Sequence, residues 1–386
     1  MNAWIYGVGT TRFRRHSDRL PAELAWEAVD EALADADVDP ARIDAAYVGT
    51  VFGTLGVAQR ALSGVGLSGI PIVTVENACA SGSTALVEAA HAIHSGRYEY
   101  VVALGVEHLT SRFSGPIDSD PTDIDQATGL LFPGLYAMSA SRYMHEHGAT
   151  PEDLAEVAVK NTRHGSLNPR AQRQVARTLE EVLGSKMIAE PLTLYQCTGL
   201  SDAAAAAVLG PARRNARDIA IRGTALGSGR AWDHESPGTW GAGLVREVAE
   251  RAYADAGIEP ADADVLEVHD AFTIGEIVTL ESMGLVGDGE APAAIRSGRF
   301  SVGGDVPVNP SGGLIARGHP LGATGLAQCA ELVWQLRGEA GARQADAPRI
   351  AVLETMGGGV GGLDGNACVV SVLESERPSR RRASLR

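Results

Sequence analysis

The sequence is poor in cysteine, aromatic residues and positive charge, and each shortage excludes a class of protein. Its 386 residues include 4 Cys, and 5% are aromatic. The cysteines (Cys79, Cys197, Cys329 and Cys368) are scattered and form no C-x-x-C pair. That spacing excludes a disulfide framework and the usual zinc site, so no metal is expected. Lys and Arg total 33 against 48 Asp and Glu, a net charge of −15, and nucleic-acid binding, which usually needs a basic face, is not expected.

Long apolar runs are also lacking. No segment approaches the ~18 apolar residues of a membrane span. The apolar stretch at the beginning of the sequence is too short and too rich in glycine for a signal peptide. We therefore expect no membrane association and a cytoplasmic location. The one basic cluster lies in the arginine-rich end at 376–386, for which a disordered tail is expected.

What is present is an alternation of short apolar runs and Ala/Glu/Leu-rich stretches, which predicts an α/β fold with sheets covered on both faces. The predicted strands are 4–9, 44–50, 70–75, 98–105, 219–226, 265–270, 349–355 and 366–373. The predicted helices are 21–37, 82–95, 150–164, 176–184, 241–256, 273–283 and 322–337.

The chain also repeats itself. Residues 25–52 superpose without a gap on 245–272, and each copy consists of a predicted helix, a turn opened by Pro and a strand. A looser echo joins 81–93 to 322–334. Two echoes in the same order predict a duplicated α/β domain. The predicted halves are 1–215 and 216–375, with a loop and helix insertion at about 107–200 in the first.

The segment V-E-N-A-C-A-S-G-S-T-A-L at 75–86 places Cys79 in a tight turn between a strand and a helix. Backbone N–H groups at a helix start stabilise a thiolate and can hold an oxyanion. A small buried cysteine that only packs between strand and helix explains the same pattern. The local sequence leaves both interpretations open.

A second glycine-rich element, N-P-S-G-G-L-I-A-R-G-H-P-L-G-A-T-G at 309–325, presents His319 just before a predicted helix. An imidazole there can deprotonate the thiol, or stay cationic and keep the thiol ionised. By itself, His319 could equally be a capping or core histidine.

Two further elements follow predicted strands. In V-H-D-A-F at 268–272, His269 can donate a hydrogen bond to a developing oxyanion, or else pair with a carboxylate such as Asp270. The turn E-T-M-G-G-G-V-G-G at 354–362 exposes backbone N–H groups near Gly359. The G-x-G-x-x-G matches at 64–69 and 357–362 do not open a strand–turn–helix unit, so no Rossmann cofactor site is expected.

Taken together in this order, these elements resemble the thiolase superfamily, in its sterol-carrier-protein-type and archaeal-type branch of acetyl-CoA acyltransferase-like proteins. The resemblance covers nearly the whole chain. N-A-C-A-S-G at 77–82 resembles the nucleophile motif, and H-D-A-F at 269–272 stands where this branch has H-D-x-F. S-D-A-A-A-A-A-V-L at 201–209 resembles the helix that closes the insertion. The implied fold is a duplicated five-layer α-β-α-β-α core.

The resemblance also implies roles. Cys79 would be the acyl-accepting nucleophile, His319 its activator, and His269 a donor in one oxyanion hole. The backbone N–H groups of Cys79 and Gly359 would form the other. The implied enzyme is an acyl-CoA acyltransferase that forms an acyl-cysteine, for β-ketoacyl-CoA thiolysis or Claisen-type condensation. Coenzyme A would be a substrate, with no tightly bound cofactor.

One departure from the family pattern concerns the second, acid/base cysteine. Gly357 stands where many thiolases have it, and Ala271 where this branch can have it. A specialised substrate, a retro-aldolase acting on a β-hydroxyacyl-CoA, or a non-catalytic thiolase-like subunit are therefore alternatives to ordinary thiolysis.

The resemblance further implies a homodimer or higher oligomer, and suggests a small zinc-ribbon/OB-fold (DUF35-like) partner subunit. For the CoA phosphates, Arg163, Arg170, Arg173 and Arg230 are candidates, although arginines on a solvated face are commoner.

Overall fold

The computed structural model describes residues 2–117, 120–213, 215–233 and 235–376. The expected disordered tail therefore lies outside the described residues except for Glu376. Among the described residues, no helix has both the length and the apolar character that crossing a bilayer would need.

Eleven strands are present in the described chain. They are β1 (Ala3–Thr10), β2 (Ala45–Gly49), β3 (Ile72–Val75), β4 (Val101–His108), β5 (Met187–Ala189), β6 (Leu192–Thr193), β7 (Asp202–Gly210), β8 (Ile219–Gly227), β9 (Val265–Glu267), β10 (Ile350–Gly357) and β11 (Ala367–Ser375).

The described α-helices also number eleven. They are α1 (Pro21–Ala36), α2 (Val57–Ser63), α3 (Ser81–His94), α4 (Phe132–His147), α5 (Pro151–Ser166), α6 (Leu179–Leu183), α7 (Ala242–Ala256), α8 (Thr273–Ser282), α9 (Ala291–Arg296), α10 (Gly313–Ala316) and α11 (Thr324–Arg337). Of these, α2, α4, α9 and α10 were not predicted.

Nine strands form one sheet in the order β3-β2-β4-β7-β1-β8-β11-β10-β9. The order is similar on the two sides of the junction of β1 with β8, with five strands on one side and four on the other. At this junction β1 and β8 pair antiparallel, with Ala3 opposite Ile221. On each side of that junction two antiparallel strands lead outward to parallel ones. The sheet therefore consists of two similar halves joined at their inner strands.

Equivalent hydrogen bonds support the duplication. Asp35 Oδ2 in α1 accepts from the backbone N–H of Val8 at 2.9 Å, and Asp255 Oδ2 in α7 accepts from that of Thr224 at 3.1 Å. Each aspartate thereby ties the first helix of its half to the first strand. A carboxylate oxygen on a backbone N–H satisfies a donor that the strand pairing leaves free.

The halves enclose α3 and α11, which pack against each other and against strands of both halves. The outer face of the first half is covered by α1, and that of the second by α7 and α8. Each half of the sheet thus forms one layer, and the order of layers is helix, half-sheet, helix, half-sheet, helix, as the fold prediction states. The inserted helices α4 and α5 lie against α8 of the second half.

The expectation of a helix at 201–209 is wrong, because this segment forms β7 in the middle of the sheet. All residues of Asp202–Gly210 are buried, with Ala203, Ala205 and Ala207 facing α3 and α11 and Ala204 and Ala206 facing α1. The helix preference of alanine is weak. Here it is outweighed by burial on both faces, where small side chains let helices approach the sheet closely.

Candidate active site

Cys79 lies in the turn between β3 and α3. Ser81 Oγ accepts from the backbone N–H of Asn77 at 2.9 Å and donates to the carbonyl oxygen of Ala78 at 2.6 Å, which closes the turn. Ala78 has φ +47, a left-handed conformation that costs a non-glycine residue energy. The result is a rigid turn that leaves Cys79 partly exposed.

His319 comes from the other half, in the loop between α10 and α11. Its Nδ1 lies 2.7 Å from Thr324 Oγ1, and Thr324 donates its own hydroxyl proton to the carbonyl oxygen of Pro320 at 3.1 Å. The hydroxyl must therefore accept from His319, which assigns the proton to Nδ1 and leaves the lone pair on Nε2.

The two side chains meet across the halves. His319 Nε2 lies 3.3 Å from Cys79 Sγ, although 240 residues separate them in sequence. Gly318 precedes the histidine with φ +121, and a Cβ there would lie 2.7 Å from Ser201 Oγ. Only glycine fits at position 318, and the resulting backbone path directs the free lone pair of His319 Nε2 toward the thiol.

His269 follows β9 and lies beside this pair. Its ring meets that of His319 edge-on at 5.1 Å, and its backbone N–H donates to Glu354 Oε2 at 2.9 Å. Within the described structure His269 Nδ1 has no hydrogen-bond partner. The Asp270 carboxylate does not pair with this ring, since it accepts from the amide of Asn161 and the N–H of Leu314.

The glycine turn after β10 closes the site. The backbone N–H groups of Gly358 and of Cys79 itself act on the thiol, and each lowers the pKa of Cys79. Gly359, the predicted donor, instead lines an adjoining recess of about 410 Å³ with Phe132, Leu135 and Trp240. The role of Gly359 as an oxyanion donor stays a prediction, and the preceding residue, Gly358, is a further backbone N–H beside the thiol that was not predicted.

Burial dominates the protonation of the pair. It raises the pKa of Cys79 to about 12, although the N–H of Gly358 lowers it. Burial, with the neighbouring His269 and Arg317, lowers the pKa of His319 well below its usual value. At neutral pH the resting pair is therefore a thiol and a neutral imidazole. This favours the base role of His319 over a standing ion pair.

Glu107 in β4 ties the two halves together next to the site. Its carboxylate accepts from the backbone N–H groups of Val51, Phe52 and Gly322, at 2.9, 3.1 and 3.0 Å. Gly322 belongs to the His319 loop. In the sequence, the single carboxylate inside the apolar run V-V-A-L-G-V-E-H indicates such a role for Glu107, because a buried charge needs hydrogen-bond partners.

A buried network supports the loop before His319. Asn309, at φ +54, accepts from the N–H of Val268 and donates to Glu276, both at 2.8 Å. Lys160 pairs with Glu276 at 2.9 Å. These contacts fix the start of the N-P-S-G-G loop against the end of β9. The positions of His269 and His319 are therefore fixed relative to each other.

Two surfaces surround the pair. On one side Cys79 contacts an apolar cluster that includes Phe52, Leu109 and Phe113. On the other lies a recess of about 340 Å³, here called the His269 recess, lined by side chains that include Tyr136, Thr239, Trp240, His269, Ile274 and Met356. The site thus offers mostly apolar walls with few polar groups, as ligand pockets do.

The other cysteines do not complete the site. Cys197 Sγ donates to the carbonyl oxygen of Thr193, Cys368 Sγ lies 3.7 Å from Glu354, and Cys329 is buried in α11. Cys79, His269 and His319 also place their ligand atoms within 4.8 Å of one another. That spacing is compatible with a metal as well as with proton transfer, so the expectation of no metal stays a prediction.

The arginine candidates for CoA are mostly occupied. Arg170 pairs with Glu31, Arg173 donates to the carbonyl oxygen of Cys197, and Arg230 pairs with Glu247. Arg163 is exposed. Arg170 is therefore tied to Glu31 of α1, and the phosphate-binding residues stay a prediction.

A thiol and an imidazole joined across a duplicated five-layer fold define the class of thiolase-fold proteins. The comparisons with known proteins agree. The family model "Thiolase, N-terminal domain" matches residues 5–212, and "Thiolase C-terminal domain-like" matches 233–368. The chain belongs to the thiolase superfamily.

Its relatives place it within that superfamily. It is 42% identical over 367 residues to an acetyl-CoA acetyltransferase of Methanothermobacter thermautotrophicus, covering 92% of this chain and 96% of the relative. It is 38% identical to sterol carrier protein 2 of Gallus gallus, covering 92% and 69%. A solved structure, "Ltp2-ChsH2(DUF35) aldolase", superposes with TM-score 0.85 at 28% identity and 98% coverage of both chains. The chain is an acyl-CoA acyltransferase of the sterol-carrier-protein-type branch.

Proposed function

We propose that the protein carries acyl groups on Cys79 and exchanges them between CoA thioesters, by β-ketoacyl-CoA thiolysis or the reverse Claisen-type condensation. The observation that carries the proposal is the distance of 3.3 Å from Cys79 Sγ to His319 Nε2, with the Nδ1 proton engaged by Thr324. The free lone pair accepts the thiol proton as sulfur attacks the substrate carbonyl.

His269 and the backbone N–H groups serve the two oxygens that develop charge. His269 is buried, and burial lowers its pKa to about 3, so it acts as a neutral hydrogen-bond donor. We expect the N–H groups of Cys79 and Gly358, and of Gly359 as the sequence predicts, to donate to the oxygen of the acyl-cysteine. Fixed donors in a site of low dielectric are worth ~3–4 kcal/mol each at a transition state.

The experiment is intact-protein mass spectrometry after incubation with acyl-CoAs from two to sixteen carbons. The expected result is a mass increase of one acyl group on Cys79, absent in Cys79→Ala and present in Cys197→Ala. Cys197 serves as the control because its thiol is hydrogen-bonded to Thr193, away from the Cys79–His319 pair. Absence of any adduct on the wild type over the whole panel would remove the proposal.

A second candidate function is a retro-aldolase that cleaves a β-hydroxyacyl-CoA beside a DUF35-like subunit. Its support is the structural similarity to the aldolase complex and the absence of a cysteine at 271 and 357. Aldol cleavage needs no acyl-enzyme, so Cys79→Ala would keep most of that activity while losing acyl transfer. Co-purification of a small zinc-containing partner would favour this candidate.

A homodimer or larger assembly is part of the proposal. Among the described strands, the edge strand β3 pairs only with β2, and Val73 in its middle is 44% exposed. An unprotected edge strand favours pairing with another chain. Light scattering of the purified protein should give at least twice the 40.2 kDa chain mass, and a monomer would contradict this part.

A further inference from the structure

The reaction proposed above needs a proton that the Cys79–His319 pair does not supply. When the bond between the α- and β-carbons of a β-ketoacyl-CoA breaks, its electron pair remains on the α-carbon. That carbon must be protonated while His319 still holds the proton taken from Cys79. Position 357 cannot provide this proton. It is a glycine here, and a Cβ at this position would lie 2.3 Å from the carbonyl oxygen of Asn77.

Tyr136 is the other titratable side chain that lines the His269 recess. It lies in α4, and its ring stacks on Phe272 with centroids 4.4 Å apart and meets Trp240 edge-on at 5.5 Å. A Cβ on Gly275 would touch both the Tyr136 ring, at 3.6 Å, and the carbonyl oxygen of His269, at 3.0 Å. The ring is therefore held near the His269 backbone and, with His269, lines the same recess.

The Tyr136 hydroxyl has no hydrogen-bond partner among the described residues, unlike that of Tyr143 on the same helix, which donates to Glu281. A phenol held at a recess without a protein partner is free to bond to a ligand. Burial, and then the charges of Cys79 and Glu354, raise the pKa of Tyr136 above its usual value. Its hydroxyl is therefore protonated at neutral pH and can donate.

We propose that Tyr136 is a catalytic residue that donates its hydroxyl proton to the α-carbon of the departing thioester. The inference rests on the proposed acyl transfer. Cys79 sulfur bonds to the β-carbon, the bond between the α- and β-carbons breaks, and the α-carbon takes the Tyr136 proton. The incoming CoA thiol then gives its proton to the tyrosinate and attacks the acyl-cysteine. Cys79 leaves and recovers its proton from His319.

The test separates the two half-reactions in Tyr136→Phe. The control is Tyr253→Phe, which removes a buried hydroxyl that also lacks a partner but lies outside the recess. The measurements are acyl-Cys79 formation from acetyl-CoA, thiolysis of β-ketoacyl-CoAs from four to sixteen carbons, and deuterium uptake at the α-carbon of acetyl-CoA in D₂O.

We expect Tyr136→Phe to form acyl-Cys79 within about threefold of the wild-type rate, and to lose thiolysis and deuterium uptake by ~10²-fold or more, as for removal of a general acid. Tyr253→Phe should match the wild type in all three. Normal thiolysis by Tyr136→Phe overturns the inference, and so does loss of acyl-Cys79 formation in that variant. A wild type that forms no acyl-cysteine removes the proposed function and this inference together.

Discussion

At the scale of single residues, the resting site contains Cys79 as a neutral thiol and His319 as a neutral imidazole. Desolvation penalises both the thiolate of Cys79 and the imidazolium of His319, so neither is charged at rest. The N–H groups around the sulfur offset only part of this cost. The thiol is consequently protected from stray electrophiles until an acyl-CoA fills the site and the proton moves to His319.

This protonation state predicts the pH dependence of Cys79 alkylation. Because the thiol pKa is raised to about 12, the thiolate fraction should increase about tenfold per pH unit, without a plateau, from pH 6 to 9. The measurement is the iodoacetamide rate at Cys79 by peptide mass spectrometry, with a model thiol as reference. A rate independent of pH in this window would instead show a standing thiolate–imidazolium pair.

Thr324 fixes the tautomer of His319 and is therefore a positioning residue. Thr324→Val keeps the shape but removes the oxygen that accepts from Nδ1. We expect acylation of Cys79 to slow by ~10- to 100-fold, by analogy with histidine ligands of metals that lose the partner fixing their tautomer. Thr324→Ser retains the hydroxyl and should recover most of the rate. Stopped-flow acylation with KM measured separately checks this, and equal rates in all three proteins would contradict the tautomer assignment.

At the scale of elements, the two halves use the same aspartate contact between their first helix and first strand, but the two aspartates have different numbers of partners. Asp255 binds the N–H of Thr224, whereas Asp35 binds the N–H of Val8 and also pairs with Arg217 and Arg337. The Arg337 side chain is fully buried, so its carboxylate partner has a larger share of the stability.

The copies therefore predict unequal costs for one substitution. Asp35→Ala should lower the free energy of unfolding by ~3 kcal/mol, because a buried cation loses its carboxylate. Asp255→Ala should lower it by ~1 kcal/mol, the value of one hydrogen bond. Chemical denaturation of both variants checks the order, and a larger loss for Asp255→Ala would contradict it.

At the scale of the whole molecule, buried carboxylates make stability depend on pH. Glu354 lies in β10 of the second half, where its carboxylate contacts the N–H of His269 and Cys368, and burial raises its pKa to about 7. An acid whose folded pKa is raised is most favourable to folding while protonated. Its contribution is complete below the unfolded pKa of ~4.3 and is lost as pH rises toward 7.

Glu354→Gln should remove this loss. Gln can still accept from the N–H of His269, so we expect the variant to gain ~1–3 kcal/mol over the wild type at pH 8 and little at pH 4.5. Thermal unfolding across that range checks the difference. An equal effect of the substitution at both pH values would show that Glu354 titrates normally.

The sequence by itself determined the duplication and the four chemical elements, because both are encoded locally. A helix, a proline turn and a strand recur in register, and the glycines around Cys79 and His319 are needed by tight turns that no other residue fits. The α/β class followed from these patterns and the family from the resemblance of the motifs, while the roles of Cys79, His319 and His269 stay predictions.

Only the tertiary structure decided which polar groups meet. The alanines of β7 form a strand because two layers of helices bury them, and Glu107, Thr324 and Tyr136 join the site through contacts with residues far away in sequence. Burial also decided the charges on Cys79 and His319. Desolvation depends on everything that surrounds a group, and a local pattern of residues does not contain that information.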